Sequence, residues 1–102
     1  MHSSHLAPNQ REARPREAVF ADILRIATEP ARSTEIIYRA NLASGSFLSY
    51  MRFLQSKRLV EKRKDRTWLT TDKGKEYLFV YSHLQRLLDY VDPAAQSYQH
   101  DF

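Results

Sequence analysis

The sequence predicts an α+β fold, mainly helical, from three observations. Residues 33–59 read as a short helix, a tight turn and a longer helix. The basic segment that follows, LVEKRKDRTWLTT, has the pattern of a β-hairpin. A long apolar stripe at helical spacing comes after this hairpin. Helix, turn, helix and hairpin in this order predict a winged helix-turn-helix domain, extended by a C-terminal helix that forms a dimer contact.

Composition limits the chain to one small domain and favours an anionic partner. The 102 residues carry a formal net charge of +4, and all sixteen Lys and Arg lie at or before Arg86. Cysteine is absent, which excludes disulfides and thiolate metal sites. The first 17 residues lack the apolar region typical of a signal peptide, and no apolar run is long enough to span a bilayer. We therefore expect a cytoplasmic protein with no membrane contact.

Four segments are expected along the chain. Residues 1–15 contain two prolines and no apolar period, which is typical of a flexible basic arm. Arg11, Arg14 and Arg16 could contact phosphates, or the arm could be a solubilising leader. Residues 16–72 form the winged domain, residues 73–91 a dimerisation helix, and residues 92–102 a polar tail.

The first two helices supply core packing and a turn. A buried face at helical spacing predicts helix 1 from Arg16 to Thr28, and a short strand follows at residues 31–32. Ser33 or Thr34 is expected to cap helix 2. Asn41 suits the turn because it tolerates a left-handed conformation. Leu42 is expected to fill the core beneath that turn.

Helix 3 is predicted from Ser44 to Lys57, with Phe47, Met51 and Leu54 as its buried stripe. The opposite face is small and polar, whereas a merely solvated helix more usually carries Glu and Lys. Small donors beside one arginine let a helix approach base edges and phosphates closely, although an ordinary exposed face is the alternative. This face consists of Gly45, Ser49, Arg52 and Ser56, flanked by Ser46.

The hairpin is the most basic part of the chain. Leu59 and Val60 begin one strand, residues 68–70 form the other, and residues 64–66 are the expected turn. Trp68 is expected in the core. The alternative is that it stacks on a base, as aromatic side chains do in single-strand binders. A charged hairpin is often simply solvated, but this one directly follows the candidate recognition helix, so it can grip phosphates. Its cations, with those ending helix 3, are Lys57, Arg58, Lys62, Arg63, Lys64 and Arg66.

The C-terminal helix is predicted from Lys73 to Val91, capped by Thr71 or Asp72. Gly74 in its first turn lets the helix pack close to the hairpin. The segment EYLFVY is apolar nearly all round, so we expect it to be buried. A stripe at four-three spacing favours a coiled-coil homodimer, although it could instead close within one chain. The stripe consists of Tyr77, Tyr81, Leu84, Leu88 and Val91, widened by Val80 and Leu87.

Four segments together resemble a known family. They are EAVFADILRIA, IIYRANL, YMRFLQSKRLVEK and LTTDKGKEYL, and they cover about residues 17–85. The chain resembles the ten-a family of small winged-helix DNA-binding proteins from the archaeon Sulfolobus. The more specific elements are the ANL after helix 2, the YMxFL segment of helix 3 and the T-D-K-G start of helix 4.

The resemblance implies duplex DNA binding, as a transcription regulator or chromatin-associated protein, and pairing of the C-terminal helices in an antiparallel coiled coil. The sequence departs from the family pattern at the end of helix 3, where Arg58 replaces the usual glycine. The start of helix 3 is smaller and less charged than in the pattern, and the last helix is shorter. By position, the resemblance places residues 45, 46, 49 and 52 in the recognition helix and residues 62–64 and 66 in the wing.

The expected partner is therefore double-stranded DNA, bound by a homodimer without cofactor or metal. The four histidines show no metal-ligand spacing, and no nucleophile elbow or phosphate loop occurs, so an enzyme is disfavoured. A winged helix that docks an acidic protein is the alternative. The residues expected to contact DNA are Ser44, Gly45, Ser46, Ser49, Arg52, Lys57, Arg58, Lys62, Arg63, Lys64 and Arg66.

Overall fold

The computed structural model describes residues 14–91 and 93–94 and confirms the α+β winged architecture. Helices α1 (Arg16–Ile26), α2 (Ser33–Arg39) and α3 (Ser44–Ser56) precede strands β1 (Val60–Lys62) and β2 (Trp68–Thr70), and α4 (Asp72–Asp89) closes the fold. Most of the predicted arm and tail, residues 1–13, 92 and 95–102, lies outside the described residues. In the described part of the chain, no helix has the length and hydrophobicity that crossing a bilayer requires.

One hydrophobic core lies between α1, α2, α3 and the hairpin. The predicted stripe of α3 is confirmed, because Phe47, Met51 and Leu54 are all buried. Leu42 is buried below the turn, as expected, and Trp68 is only 4% exposed. Each fully buried aliphatic side chain contributes about 1.5–3 kcal/mol of transfer free energy, so this core stabilises most of the fold.

Strand β2 joins the wing to the first two helices. It pairs antiparallel with β1, and on its other side Trp68 exchanges backbone hydrogen bonds with Ala31 at 2.8 and 3.0 Å. The short strand expected at residues 31–32 is thus a single bridge at Ala31. Thr70 donates its amide to Ala27 O and its hydroxyl to Leu24 O, each at 2.7 Å. Carbonyls at the end of α1 are satisfied in this way by the wing.

The turn between α2 and α3 is a left-handed helix cap. Asn41 adopts φ 57°, as predicted. Its amide donates to Tyr38 O, and the Leu42 amide donates to Ile37 O, the bonding pattern of a Schellman motif. The predicted cap at the start of α2 is wrong: Arg32 is the N-cap, and no side chain caps the helix. The Ser33 hydroxyl instead accepts a hydrogen bond from the Trp68 indole at 3.1 Å.

The start of α4 is locked against the hairpin. Thr71 is the N-cap and accepts from the Gly74 amide at 3.0 Å, which confirms one of the two expected caps. A Cβ atom at position 74 would lie 2.2 Å from Leu59 O and 2.6 Å from a Thr70 methyl carbon. The close approach predicted for Gly74 is therefore confirmed, and glycine is required there by space.

The prediction that the EYLFVY segment is buried is wrong. Tyr77 and Leu78 pack against the core, but Phe79 is 70% exposed and Val80 is also exposed. The physical reason is size: α4 contacts the domain along one side, and a domain this small has no further layer to cover the other sides.

We predict that Gly74→Ala destabilises the fold by about 1–3 kcal/mol, because the new methyl group overlaps a backbone carbonyl. Gly45→Ala is the matched control, since a Cβ there meets nothing within 4 Å. Alanine is the better helix former, so that variant gains up to about 1 kcal/mol. Urea denaturation measures both values, and a loss at both positions would contradict the close-packing account of Gly74.

Candidate nucleic-acid interface

The buried stripe of α3 fixes which of its side chains face solvent. With Phe47, Met51 and Leu54 in the core, Ser44, Gly45, Ser49, Arg52 and Ser56 are all exposed, and Ser46 is half-buried. Arg52 forms no hydrogen bond or ion pair within the described residues. The helix thus presents a shallow surface of small side chains with one unpaired guanidinium.

Two of the serines on this surface bond to their own helix. Ser49 donates its hydroxyl to Ser46 O at 3.1 Å, and Ser56 donates to Phe53 O at 2.7 Å. Such bonds hold the hydroxyls close to the helix, while their lone pairs stay available to accept. These two serine side chains consequently project less from the helix than the sequence alone suggests.

Leu48 also lies on the exposed side of α3, and the sequence-based prediction missed it. Its side chain is 58% exposed. It follows Gly45 by three residues and precedes Arg52 by four, so the three share one face of the helix. The signal in the sequence was an apolar residue of the helix that does not belong to the buried stripe of Phe47, Met51 and Leu54.

The end of α3 repeats the cap at the end of α2. Arg58 adopts φ 61°, its amide donates to Gln55 O, and the Leu59 amide donates to Leu54 O. This is again a Schellman motif, with arginine at the position that glycine usually occupies. Lys73 donates to Lys57 O at 2.9 Å, so the start of α4 caps α3 as well.

The turn of the wing lies where the sequence predicted it. Arg63 donates its amide to Thr67 O, Arg66 donates to Arg63 O, and Arg66 has φ 70°. The Asp65 carboxylate accepts from the hydroxyl and the amide of Thr67 at 2.5 and 3.1 Å. These two bonds, with a smaller electrostatic contribution from Arg63, hold the pKa of Asp65 below its usual range. The carboxylate therefore shapes the turn.

Ion pairing of the cations is uneven along the described chain. Within the described residues every ion pair lies before α3, as in Arg25–Asp22 and Arg39–Glu35 at 2.9 Å each. From α3 through the wing, all seven predicted cations are exposed and none forms an ion pair. Two of them contact rings instead: Lys57 lies over Phe53 and Lys62 over Trp68, the latter at 4.9 Å. Eleven Lys and Arg side chains of the described residues form no ion pair, and seven of them lie between Arg52 and Arg66. The other four are Arg32, Lys73, Lys75 and Arg86.

Arg14 and Arg16, near the start of α1, have structural partners. Arg14 pairs with Asp22 and donates to Ala40 O at 2.7 Å, which attaches the end of the predicted arm to the turn after α2. The Arg16 guanidinium lies 5.0 Å from the Phe53 ring centre. Arg11, the third arginine considered for phosphate contact, is outside the described residues.

The predicted dimerisation stripe has a packed start and an exposed end. Tyr77 donates its hydroxyl to Glu17 O at 2.9 Å, and burial raises its pKa. Tyr81 stacks on it with the two rings 6.2 Å apart. Leu84, Leu88 and Val91 are exposed, so no described part of the chain covers the end of the stripe.

Within the described residues, no group of three His, Asp or Glu side chains is placed to hold a metal ion. The cavities are shallow surface grooves, one of which, of about 460 Å³, runs between the end of α3 and the start of α4 and includes Arg58 and Lys73.

The fold and the exposed basic segment define a small winged-helix protein. Comparison with protein-family models agrees: the winged helix-turn-helix model matches residues 13–89. The chain belongs to this winged helix-turn-helix family, which is typically a non-enzymatic DNA-binding domain. A comparison with curated proteins finds no match.

We predict that Arg58→Gly stabilises the fold by about 1 kcal/mol, because glycine adopts φ 61° without the steric cost that a side chain imposes. Lys57→Gly is the control: it also removes one cation, but Lys57 has φ −91° and gains nothing from glycine. Urea denaturation compares the two, and equal effects would show that the left-handed cap of Arg58 carries no strain.

Proposed function

We propose that the protein binds duplex DNA, with α3 in the major groove and the wing on the sugar-phosphate backbone. One observation carries the proposal: seven exposed cations between Arg52 and Arg66 form no ion pair with a described residue, while every ion pair of the described residues lies before α3. Cations without carboxylate partners are available to phosphates at no cost of breaking an ion pair. Membership of the winged helix-turn-helix family supports the same function.

In this proposal, the outer face of α3 contacts the bases, and the wing and the end of α3 contact the sugar-phosphate backbone. The small outer face of α3, with Gly45, Ser49 and Arg52, lets the helix enter the groove deeply. Lys62, Arg63 and Lys64 in the wing, with Lys57 and Arg58 at the end of α3, neutralise phosphates. Affinity then comes mainly from the backbone and falls steeply with salt.

Within the family, we place the protein with the ten-a group of archaeal DNA-binding proteins, as a nucleoid-associated protein or transcription regulator. The motif positions support this. Leu42 of the ANL segment closes the cap after α2, and Gly74 of the T-D-K-G segment allows the contact between α4 and the hairpin. Arg58 stands at the usual glycine and keeps the left-handed cap.

We also propose that two copies pair through α4. Leu84, Leu88 and Val91 repeat at four-three spacing and are exposed in the single chain. Burying this stripe against a second copy removes apolar surface from water, and pairing would set the spacing between two recognition helices.

We predict that Arg63→Gln and Lys64→Gln each weaken duplex binding and lower the slope of log affinity against log salt by about 0.9 per lost phosphate contact. Fluorescence anisotropy with a mixed-sequence duplex at several salt concentrations measures the slope. Arg86→Gln on α4 is the matched control, since it removes the same charge from an exposed residue outside the wing.

The absence of binding to any duplex at low salt would reject the proposed function and favour the alternative, docking of an acidic protein. Arg58→Gly adds a second criterion. It stabilises the fold but removes a proposed phosphate contact, so its stability and its DNA affinity should change in opposite directions. A variant that gains both would remove Arg58 from the interface.

We predict that Leu88→Glu converts a homodimer to monomers while leaving the fold of each chain intact, because Leu88 is 71% exposed in the single chain. Gln85→Glu adds the same charge at another exposed position of α4 and should leave the dimer unchanged. Sedimentation equilibrium reports the mass of each variant. A wild-type protein that is monomeric at high concentration would reject the pairing of α4.

A further inference from the structure

The one large apolar side chain on the outer face of α3 is Leu48. Its side chain is 58% exposed, whereas Phe47, Met51 and Leu54 of the same helix are buried in the core. Its nearest neighbours towards the helix start are Ser44 and Gly45. Since a Cβ at Gly45 would meet nothing within 4 Å, the space beside Leu48 is open and the leucine protrudes from a low surface.

A single exposed leucine is ordinary on a protein surface, so its position decides the interpretation. Leu48 is the fifth residue of α3, and the first half of a recognition helix is the part that reaches base edges in helix-turn-helix complexes. Phosphates offer an aliphatic side chain no favourable contact. In the major groove of duplex DNA, the C5 methyl group of thymine is the apolar group exposed on the base edges.

We propose that Leu48 contacts a thymine methyl group in the major groove and gives the protein a preference for thymine at that position. This inference rests on the proposed function and deepens it, because it assigns base readout to a particular side chain. The serines and Gly45 around Leu48 have small side chains, so Leu48 projects furthest from the helix. The leucine therefore reaches the base before the helix backbone contacts the DNA. Arg52, one turn further along the same face, and the wing cations hold the helix in register.

The test uses a duplex selected from a random pool by the full-length protein. It is then synthesised with uracil in place of each thymine in turn, which removes only the C5 methyl group. Burying one such group is worth about a fourfold change in affinity, so at one position uracil should weaken wild-type binding by about that factor. Leu48→Ala should bind the thymine and uracil duplexes equally.

Two variants serve as controls. Leu48→Met keeps an apolar side chain of similar size and should retain the discrimination. Lys64→Gln should weaken binding to both duplexes by the same factor and leave their ratio unchanged. Because Leu48 is exposed, its variants should also keep the wild-type thermal unfolding midpoint.

The outcomes separate this inference from the function on which it rests. Equal wild-type affinity for thymine and uracil duplexes at all positions overturns the role of Leu48 and leaves DNA binding standing. A thymine preference that persists in Leu48→Ala overturns it as well, because another side chain must then read the methyl group. Failure to bind or select any duplex at low salt rejects the proposed function itself.

Discussion

The buried indole of Trp68 is the contact through which the wing, the short α2 helix and the recognition helix are held in one arrangement. Its backbone pairs with Ala31, and its ring nitrogen donates to Ser33. Its ring packs against Phe47 of α3 in a T-shaped pair with the ring centres 6.4 Å apart. Such an aromatic pair adds about 0.5–1.5 kcal/mol beyond the area it buries. Two strands of three residues each are too short to hold a hairpin in place alone. The wing therefore has a fixed position because its tryptophan belongs to the core.

Backbone geometry and charge are combined in the surface that we propose for DNA. Of the three non-glycine residues with positive φ in the described chain, Arg58 and Arg66 are cations of that surface. Glycine would fit both positions with less strain. Strained residues of this kind persist where the surrounding contacts determine the backbone, and they are common at functional sites. Arginine at these positions places positive charge at two left-handed turns of the proposed surface.

Local signals in the sequence predicted most of the fold. Helical periodicity located the stripe of α3, the tolerance of asparagine for left-handed geometry located the turn at Asn41, and Gly74 marked the close contact of α4. Contacts between residues distant in sequence carried no such signal. The bond from Arg14 to Ala40 spans 26 residues and was not predicted, and the role of Ser33 became visible only with the position of the indole.

Surface exposure was the other limit of the sequence-based prediction. Periodicity shows that a side chain is apolar and on which side of a helix it lies, but only the completed fold shows whether another element covers it. For this reason Phe79 was expected inside and lies outside, and Leu48 was passed over on a face interpreted as polar. The assignment of individual DNA contacts stays a prediction, because it depends on a partner whose geometry the chain does not contain.

The contact between Lys62 and Trp68 has an optical consequence. The chain has a single tryptophan, so its long-wavelength emission comes from one indole in the core. The Lys62 ammonium lies 4.9 Å from the centre of that ring. The electric field of a cation at this distance acts on the excited state of the indole, and the field changes when the ammonium moves towards an anion in solution. The fluorescence emission of Trp68 therefore reports on the charge at the surface of the wing, without an attached dye.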